Sequence, residues 1–368
     1  MSRFTVFYQI YSRDKKEVDD IAESITLEET VEIPKDIVPK GFIQDEIVGR
    51  VENIISNKNF SSTVEISYSA KSVGREILQL LNVIHGNSSM FKNVKVVDIK
   101  LDNILSSNFP GAKFGIEGLR KILNHKKPII APVLKPQGLS SDDLSVIAYK
   151  CALAGADLVK EDHNLVNQSH SSYRDRVEKI SSAVKKGNKE SGNQCLYFPH
   201  IASNFFDIEK DIKFAKDFEV GGIMLIPSLV GYNLVHSLAQ SDKFNLPILT
   251  HPSFSGANVL SRNTGFSYGM FYGKIQRLIG SDMSIFPNVG GRFNFTKEEC
   301  QSIALACRSS EGPGKPILPS IGGGMSLKTA DSMKNMYGND AIYLLGGSLL
   351  RYGDRIGEGI LDIKKSLY

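Results

Sequence analysis

Short apolar runs alternate with amphipathic stretches from about residue 128 to the end of the chain. Eight runs have the length of a strand that is buried on both faces; they cover residues 129–135, 157–163, 195–201, 221–227, 246–251, 283–288, 316–322 and 341–347. Parallel strands buried on both faces are typical of a sheet whose crossover helices cover the outside. The pattern predicts an eight-stranded β/α barrel, and a doubly wound open sheet is the structural alternative.

The first hundred residues have a different, mixed pattern. Residues 4–11 and 62–69 alternate between apolar and polar positions as strands do, whereas residues 15–24 have the spacing of an amphipathic helix. A turn-rich junction, Phe109-Pro110-Gly111, follows. We therefore expect a small N-terminal α+β domain of the ferredoxin-like type over residues 1–107, and a barrel with the active site over residues 108–368.

Composition excludes several classes of protein. The 368 residues are 41% hydrophobic and 23% charged, which is close to the globular average and argues against disorder. The net charge of +4 is spread along the chain without a basic stripe carrying aromatic residues, so no nucleic-acid partner is expected. No leader-like start and no apolar run of about 18 residues is present, so we expect a cytoplasmic protein without a membrane partner.

Four cysteines occur without the CxxC spacing of a zinc or thioredoxin-like site: Cys151, Cys195, Cys300 and Cys307. We expect them to be buried and reduced.

The first two predicted barrel strands end in groups that can do chemistry, and such strand ends form the active site of β/α barrels. The first ends at Lys135, whose amine suits proton transfer, although a surface lysine at the start of a loop is the simpler alternative. The second ends in Lys160-Glu161-Asp162-His163; alternation points Lys160 and Asp162 to one side, and His163 begins the loop. An ion-pair network is one interpretation. A magnesium site is the other, because a carbamate on Lys160 would supply a hard oxygen ligand.

Later strand ends add a histidine, a cation and two glycine clusters. The fifth strand ends at His251, and Arg292 follows two glycines after the sixth, where a guanidinium suits capture of a phosphate or carboxylate. Glycines after strands seven and eight expose backbone N–H groups, the usual phosphate site of these barrels: Gly323, Gly324, Gly346 and Gly347. The alternatives are a structural histidine, a solvated arginine and tight turns. His200, at the end of the third strand, is either a substrate contact or a structural residue.

Six segments occur in an order that resembles the RuBisCO large-subunit superfamily, specifically its non-carboxylating RuBisCO-like members (form IV). Between Phe109 and about Gly353 they are FPGAKFGIEGLRKIL, LKPQGLS, GADLVKEDHNLVNQ, SYRDR, LPSIGGGM and YLLGGS. The joint order is specific, whereas each segment alone is weak.

The resemblance implies roles for the residues at the barrel mouth. Lys135 corresponds to the lysine that handles the proton removed on enolisation, Lys160 to the lysine that becomes carbamylated by CO2, and Asp162 to the next Mg²⁺ ligand. His163 stands where RuBisCO has a glutamate, and an imidazole there is a softer metal ligand. His251 matches a histidine near the substrate.

The resemblance also implies a homodimer whose active sites are shared between subunits. Asn87 matches an asparagine that the N-terminal domain contributes to the partner's site. Glu28 and Thr30 lie where the superfamily places further partner contacts, but no motif anchors them.

Departures from RuBisCO indicate a different reaction. Arg292 replaces the loop lysine that carboxylation needs, and Gln137 replaces the second lysine of the KPK motif, so CO2 fixation is not expected. The side chains that hold a second phosphate are replaced by Pro252, Ile285 and Gly322. We therefore expect a sugar-acid substrate with one phosphate.

Within the RuBisCO-like proteins, the combination of KPQG, a KEDH strand end and FPNVGGRF most resembles the 3-oxo-isoapionate-4-phosphate decarboxylases. Loss of CO2 from such a β-keto acid leaves an enediolate, which a divalent cation stabilises, and Arg292 would grip the departing carboxylate. The alternatives are a methionine-salvage enolase or isomerase of a methylthio-sugar phosphate, a transcarboxylase or hydrolase of the same keto acid, and a non-catalytic sugar-phosphate binder.

Overall fold

The computed structural model describes residues 2–368. Its N-terminal part has the element order βαββαβ: β1 (Arg3–Tyr11), α1 (Lys15–Glu28), β2 (Arg50–Ser56), β3 (Ser61–Ser69), α2 (Ile77–His85) and β4 (Val94–Lys100). The four strands pair antiparallel in the order β4-β1-β3-β2. This is the ferredoxin-like arrangement, which confirms the predicted fold of this part.

Alternation along β1 explains how this sheet meets its helices. Phe4, Val6, Tyr8 and Ile10 are fully buried, while the residues between them are partly exposed. The opposing face of α1 contributes Val18, Ala22 and Ile25 among others. The helix predicted over residues 15–24 continues to Glu28, because the apolar spacing continues through Ile25.

The remaining elements form the barrel and its cover. In chain order they are α3 (Asn103–Asn108), α4 (Gly115–Leu123), β5 (Ile129–Leu134), α5 (Ser141–Leu153), β6 (Leu158–Glu161), α6 (Tyr173–Ser191), β7 (Leu196–Phe198), α7 (Ile208–Asp217), β8 (Ile223–Leu225), α8 (Pro227–Val230), α9 (Tyr232–Gln240), β9 (Ile248–Thr250), α10 (Gly256–Val259), β10 (Gly265–Phe266), α11 (Gln276–Leu278), β11 (Met283–Pro287), α12 (Lys297–Arg308), β12 (Leu318–Gly322), α13 (Leu327–Tyr337), β13 (Ile342–Leu345), α14 (Gly347–Leu350) and α15 (Ile356–Leu367).

Eight parallel strands follow one another in the order β7-β6-β5-β13-β12-β11-β9-β8. Backbone hydrogen bonds close the ring between β7 and β8: the Met224 N–H donates to Pro199 O at 2.9 Å, and the Ile201 N–H donates to Met224 O at 3.0 Å. Each of the eight predicted runs contains one strand. The predicted β/α barrel is therefore confirmed.

The barrel interior is an apolar core that ends at the mouth in polar side chains. Its inward positions include Ile129, Ala131, Val133, Leu158, Phe198, Met224, Leu249, Met283, Ile285, Leu318, Ile342 and Leu344. Side chains on a strand alternate between its two faces, so the next inward positions beyond this core are Lys135, Lys160, His200 and His251. The strand pattern thus places these four candidate side chains together at the barrel mouth.

A short barrel segment joins the two parts of the chain. Strand β10 pairs parallel with β4, with Gly265 opposite Lys95 and Phe266 opposite Val96, and so adds a fifth strand to the N-terminal sheet. The boundary predicted between residues 107 and 108 falls at the end of α3 and stays a prediction.

Two expectations from composition can be compared with the structure. Within residues 2–368, no helix combines the length and apolarity that crossing a bilayer requires. The four cysteines are buried and free, as expected.

Candidate functional site

Lys135 and Asp162 form an ion pair at the barrel mouth. The Lys135 Nζ lies 2.8 Å from Asp162 Oδ2, and the other carboxylate oxygen accepts hydrogen bonds from the backbone N–H and the side-chain amide of Asn164, each at 3.1 Å. Burial raises the pKa of Asp162, but the hydrogen bond and charge of Lys135 outweigh burial, and the pKa lies below its usual value. Asp162 is therefore a carboxylate at neutral pH.

Lys160 lies beside this pair and is 3% exposed. Burial lowers the pKa of its amine to about 8; the Asp162 carboxylate opposes the shift and the Lys135 ammonium adds to it. A substantial fraction of the amine is neutral near physiological pH. Only the neutral amine is nucleophilic towards CO2, so this setting suits the carbamate expected from the resemblance.

Two histidines stack at the same mouth. The rings of His163 and His251 lie 4.2 Å apart, with 18° between their planes. Burial lowers the pKa of both, most strongly for His251, which also faces the Lys160 ammonium. The Ser253 N–H donates to His251 Nδ1 at 3.2 Å, so the proton of the neutral His251 ring is on Nε2. His251 thus has a hydrogen-bond donor free for a substrate oxygen.

His200 is the third histidine of this layer. Its Nδ1–H donates to Leu165 O at 3.1 Å, and its Nε2 is buried and has no hydrogen-bond partner within residues 2–368. Burial lowers the pKa of His200 to about 4, so the ring is neutral. The structure therefore places His200 at the mouth, but its role stays a prediction.

Glu161 points away from the mouth and belongs to a buried network. The Arg176 guanidinium donates to both of its carboxylate oxygens, at 2.7 and 3.1 Å, and the Tyr197 hydroxyl donates at 2.6 Å. The His200 N–H adds a fourth hydrogen bond at 2.9 Å. Sequence reasoning did not identify this network, although a glutamate inside a buried strand requires a cationic partner and the SYRDR motif supplies one.

The glycine loop after β13 lies next to Lys135, and the glycine loop after β12 is tied to it. Gly323 and Gly324 have φ values of +89° and +70°, which few residues other than glycine adopt. A Cβ on Gly346 would lie 3.9 Å from the Lys135 Nζ, and the Ser348 hydroxyl ties the two loops together by donating to Met325 O. The predicted phosphate loops and the predicted catalytic amine are thus neighbours.

In the part of the chain that the structure describes, Arg292 makes no polar contact with the Lys135–Asp162 pair or with the histidines. It is exposed in the loop after β11, and its guanidinium makes no hydrogen bond or ion pair within the described residues. The preceding glycines border the phosphate loop, because a Cβ on Gly323 would lie 4.0 Å from Gly291 Cα. The loop that carries Arg292 therefore lies against the predicted phosphate loop, and ligand binding by its guanidinium stays a prediction.

Asn87 lies in the N-terminal domain, where its side-chain amide donates to Glu28 Oε2 at 3.3 Å. Thr30 donates to the Thr26 carbonyl one turn earlier. Within residues 2–368, no hydrogen bond joins Glu28 or Asn87 to the barrel mouth of the same chain. The contribution of Asn87 to a partner's active site stays a prediction.

The donor set fits a metal only under one condition. No group of three or more histidine, cysteine, aspartate or glutamate side chains within the described residues is close enough together to hold an ion. Asp162 and His163 lie side by side, with 3.4 Å between Oδ1 and Nδ1, and Lys160 becomes an oxygen ligand only as a carbamate. These residues thus fit Mg²⁺ once Lys160 is carbamylated.

Comparisons with known proteins identify the family. The profile of the ribulose bisphosphate carboxylase large chain, catalytic domain, matches residues 115–359. The chain belongs to this family, and its relatives include RuBisCO-like proteins. It is similar to ribulose bisphosphate carboxylase-like protein 1 of Rhodopseudomonas palustris, with 34% identity over 97% of this chain and 95% of that protein.

Two further similarities cover nearly the whole chain. The 5-methylthioribulose-1-phosphate isomerase of Rhodospirillum rubrum is 31% identical over 92% of this chain and 89% of that protein. The crystal structure of a Rubisco-like protein from Rhodopseudomonas palustris superposes with a TM-score of 0.88 at 28% identity, over 100% of this chain and 98% of that one. The similarity therefore includes the N-terminal domain.

Proposed function

We propose that this protein is an enolising enzyme of the isomerase or enolase type, acting on a ketone derived from a sugar monophosphate. The observation that carries the proposal is the buried Lys160 amine beside the Lys135–Asp162 ion pair, next to two glycine loops at a barrel mouth. The similarity to the 5-methylthioribulose-1-phosphate isomerase supports a methylthio-sugar phosphate as the substrate.

Lys135 is proposed to transfer the carbon-bound proton of the substrate during enolisation. Its side chain is one-third exposed, so it is accessible to a substrate, and the Asp162 carboxylate fixes the position of its Nζ. A base must lie within hydrogen-bond reach of the carbon acid, and a phosphate held by the adjacent Gly346 would bring the neighbouring carbons to this amine. Lys135 would enter the reaction as the neutral amine, take the proton from one carbon to become the ammonium, and return that proton to another carbon.

His251 and the metal ligands are proposed to stabilise the enediolate. The His251 Nε2–H donates to the oxygen on which negative charge develops. Lys160 as its carbamate, Asp162 and His163 would hold Mg²⁺, which supplies positive charge beside that oxygen.

The substrate is proposed to carry one phosphate. Backbone N–H groups of Gly323, Gly324, Gly346 and Gly347 would bind it. Gly323 and Gly324 have positive φ values, and an exposed loop with this backbone conformation can direct its N–H groups towards an anion. Pro252, Ile285 and Gly322 offer no charged group or side-chain donor for a second phosphate.

A second candidate is decarboxylation of 3-oxo-isoapionate 4-phosphate, and Arg292 favours it. Neither proton transfer nor a phosphate at the glycine loops requires a guanidinium on the loop after β11, whereas a substrate carboxylate would pair with it. A transcarboxylase or hydrolase would act on the same keto acid, and a non-catalytic binder would hold a sugar phosphate without turnover.

A homodimer with shared active sites is proposed from two exposed apolar groups. The first lies in segments that follow barrel strands and comprises Phe205, Phe206, Leu229, Phe254 and Phe293. The second lies in the N-terminal domain, which also carries Glu28 and Asn87, and comprises Ile37, Phe42 and Met90. Contiguous exposed apolar patches mark interfaces, and the N-terminal domain of one subunit over the barrel mouth of another would cover both groups.

The test uses two synthesised substrates with Mg²⁺ and bicarbonate: 5-methylthioribulose 1-phosphate, followed by NMR, and 3-oxo-isoapionate 4-phosphate, followed by CO2 release. Isomerisation of the first without CO2 from the second supports the proposal. CO2 release instead supports the second candidate. Turnover of neither, with tight binding that Lys160→Ala leaves unchanged, would identify a non-catalytic binder.

A further inference from the structure

A second polar cavity lies outside the barrel mouth, at the edge of the N-terminal sheet. Its volume is about 470 Å³, and it is formed by the end of β1, the β2–β3 hairpin and the barrel segment that precedes β10. Three cationic side chains from these three places line it: Arg13, Lys58 and Arg262. None of the three takes part in the proposed reaction.

Arg13 is held in place by the hairpin. Its guanidinium lies over the Phe60 ring, 4.3 Å from the ring centre. Asn59 and Phe60 have φ values of +63° and +55°, and the Asn57 N–H closes the turn by donating to Ser61 O at 2.8 Å. The tight turn therefore presents the Phe60 ring to Arg13 and Lys58 to the cavity.

The backbone at Arg262 is held by residues on the opposite wall of the cavity. The Lys95 ammonium on β4 donates to the carbonyls of Ser261, at 2.6 Å, and of Arg262 itself, at 3.3 Å. The Asn263 amide reaches the Asn93 side chain at 3.5 Å. The backbone that carries Arg262 is thus anchored to the N-terminal sheet, so this cation does not depend on a mobile loop.

The charges of the cavity are not balanced by the chain. Within residues 2–368, Arg13, Lys58 and Arg262 take part in no ion pair, and no aspartate or glutamate lines the cavity. One carboxylate touches the lining: Glu17 accepts from the Ser12 hydroxyl. Three cations in the lining and one carboxylate beside it leave an excess of positive charge, which an anion would neutralise.

We propose that this cavity binds a small, multiply charged oxyanion such as the diphosphate or phosphate-ester group of a metabolite. Arginine guanidiniums bind phosphate oxygens in pairs, and lysine adds a point charge. The lining amides of Asn59, Asn93 and Asn263 provide further N–H donors for the remaining oxygens. Such a ligand would bridge the N-terminal sheet and the barrel segment, and so would bind at a site separate from the reaction.

The experiment uses inorganic pyrophosphate as the probe and hydrogen–deuterium exchange of the full-length protein as the readout. Peptides covering residues 57–61 and 261–264 report on the cavity, while peptides covering residues 322–325 and 346–348 report on the proposed substrate phosphate site. The Lys58→Gln/Arg262→Gln variant removes two cations. The Arg75→Gln/Lys126→Gln variant is the matched control, because both residues are exposed and lie outside the cavity.

We expect pyrophosphate to slow exchange in both cavity peptides of the wild type and of the control variant. In Lys58→Gln/Arg262→Gln the concentration needed for half-protection should rise at least tenfold, with an unchanged melting curve. No protection of the cavity peptides, or equal protection in the two variants, would overturn the proposal. Protection of the two glycine loops is independent of these residues, so its absence would count against the proposed function alone.

Discussion

Replacing Arg176 by methionine should destabilise the protein strongly, because it leaves a buried carboxylate without its cation. Arg176 and Glu161 are both fully buried. Besides its two bonds to Glu161, the guanidinium donates to the carbonyls of Val166 and Ser171, each at 2.7 Å. Methionine has a similar length and apolarity along its stem, so the change removes the charge and donors while keeping much of the volume.

The expected loss of unfolding free energy follows from the hydrogen bonds that Glu161 keeps in the variant. Tyr197 and the His200 N–H still donate to the carboxylate, but no cation does, and the buried Ser171 carbonyl and the half-buried Val166 carbonyl lose a donor. Breaking a buried ion pair from one side costs about 3–5 kcal/mol. Since a domain of ordinary stability has about 5–15 kcal/mol in total, the variant should remain folded but with a much lower denaturation midpoint.

Urea denaturation followed by circular dichroism measures this change, since the chain has no tryptophan. Arg174→Met on the same helix is the control: Arg174 is exposed and pairs with Asp211 at 3.6 Å, so its loss should cost at most about 1 kcal/mol. Equal costs for the two variants would refute the assignment of Glu161 and Arg176 to the structural network.

Three further predictions concern stability and catalysis. Asp282 accepts N–H bonds from Phe114 and from Ile248, and burial raises the pKa of its carboxyl to about 6. The folded state therefore binds this proton more tightly than the unfolded state, so the contribution of Asp282 to the unfolding free energy falls by roughly 3 kcal/mol as the pH rises from about 4 to about 6. Urea titrations at several pH values should show that Asp282→Asn lacks this dependence; an identical dependence in the variant would contradict it. Ser140→Ala removes the capping box at the start of α5 and should cost about 1 kcal/mol in the same assay, and no loss would contradict the role of the cap. Lys135→Met should lower turnover by about 10²–10⁴ with little change in phosphate affinity, measured by steady-state kinetics; unchanged turnover would exclude Lys135 as the proton carrier.

The barrel could be predicted from the sequence because each of its strands is buried on both faces. Such strands appear as short apolar runs, and the glycines and charged groups at their ends mark where each run stops. The predicted strand over residues 157–163 was longer than β6 (Leu158–Glu161), because Asp162 begins a loop while keeping the inward position that alternation gave it. The residue at which a strand ends is therefore predicted less exactly than the direction in which the side chains near that end point.

The candidate site could be predicted only in part. Lys160, Asp162 and His251 followed from periodicity and from the resemblance, because strand alternation fixes their direction. Arg292 lies on a loop, whose path depends on contacts that no local pattern encodes, and it is exposed. The Glu161–Arg176 pair joins residues from a strand and a helix, so spacing alone could not connect them.

The measurement that tests the central claim most directly is solvent exchange at carbon. The wild type and Lys160→Ala are incubated in D2O with 5-methylthioribulose 1-phosphate, Mg²⁺ and bicarbonate, and the carbon-bound protons next to the carbonyl are followed by ¹H NMR. The account predicts loss of these signals, or their transfer to the isomerised product, with the wild type and none with Lys160→Ala. Wild-type protein that leaves the signals unchanged, or a Lys160→Ala variant that exchanges them equally fast, would contradict it.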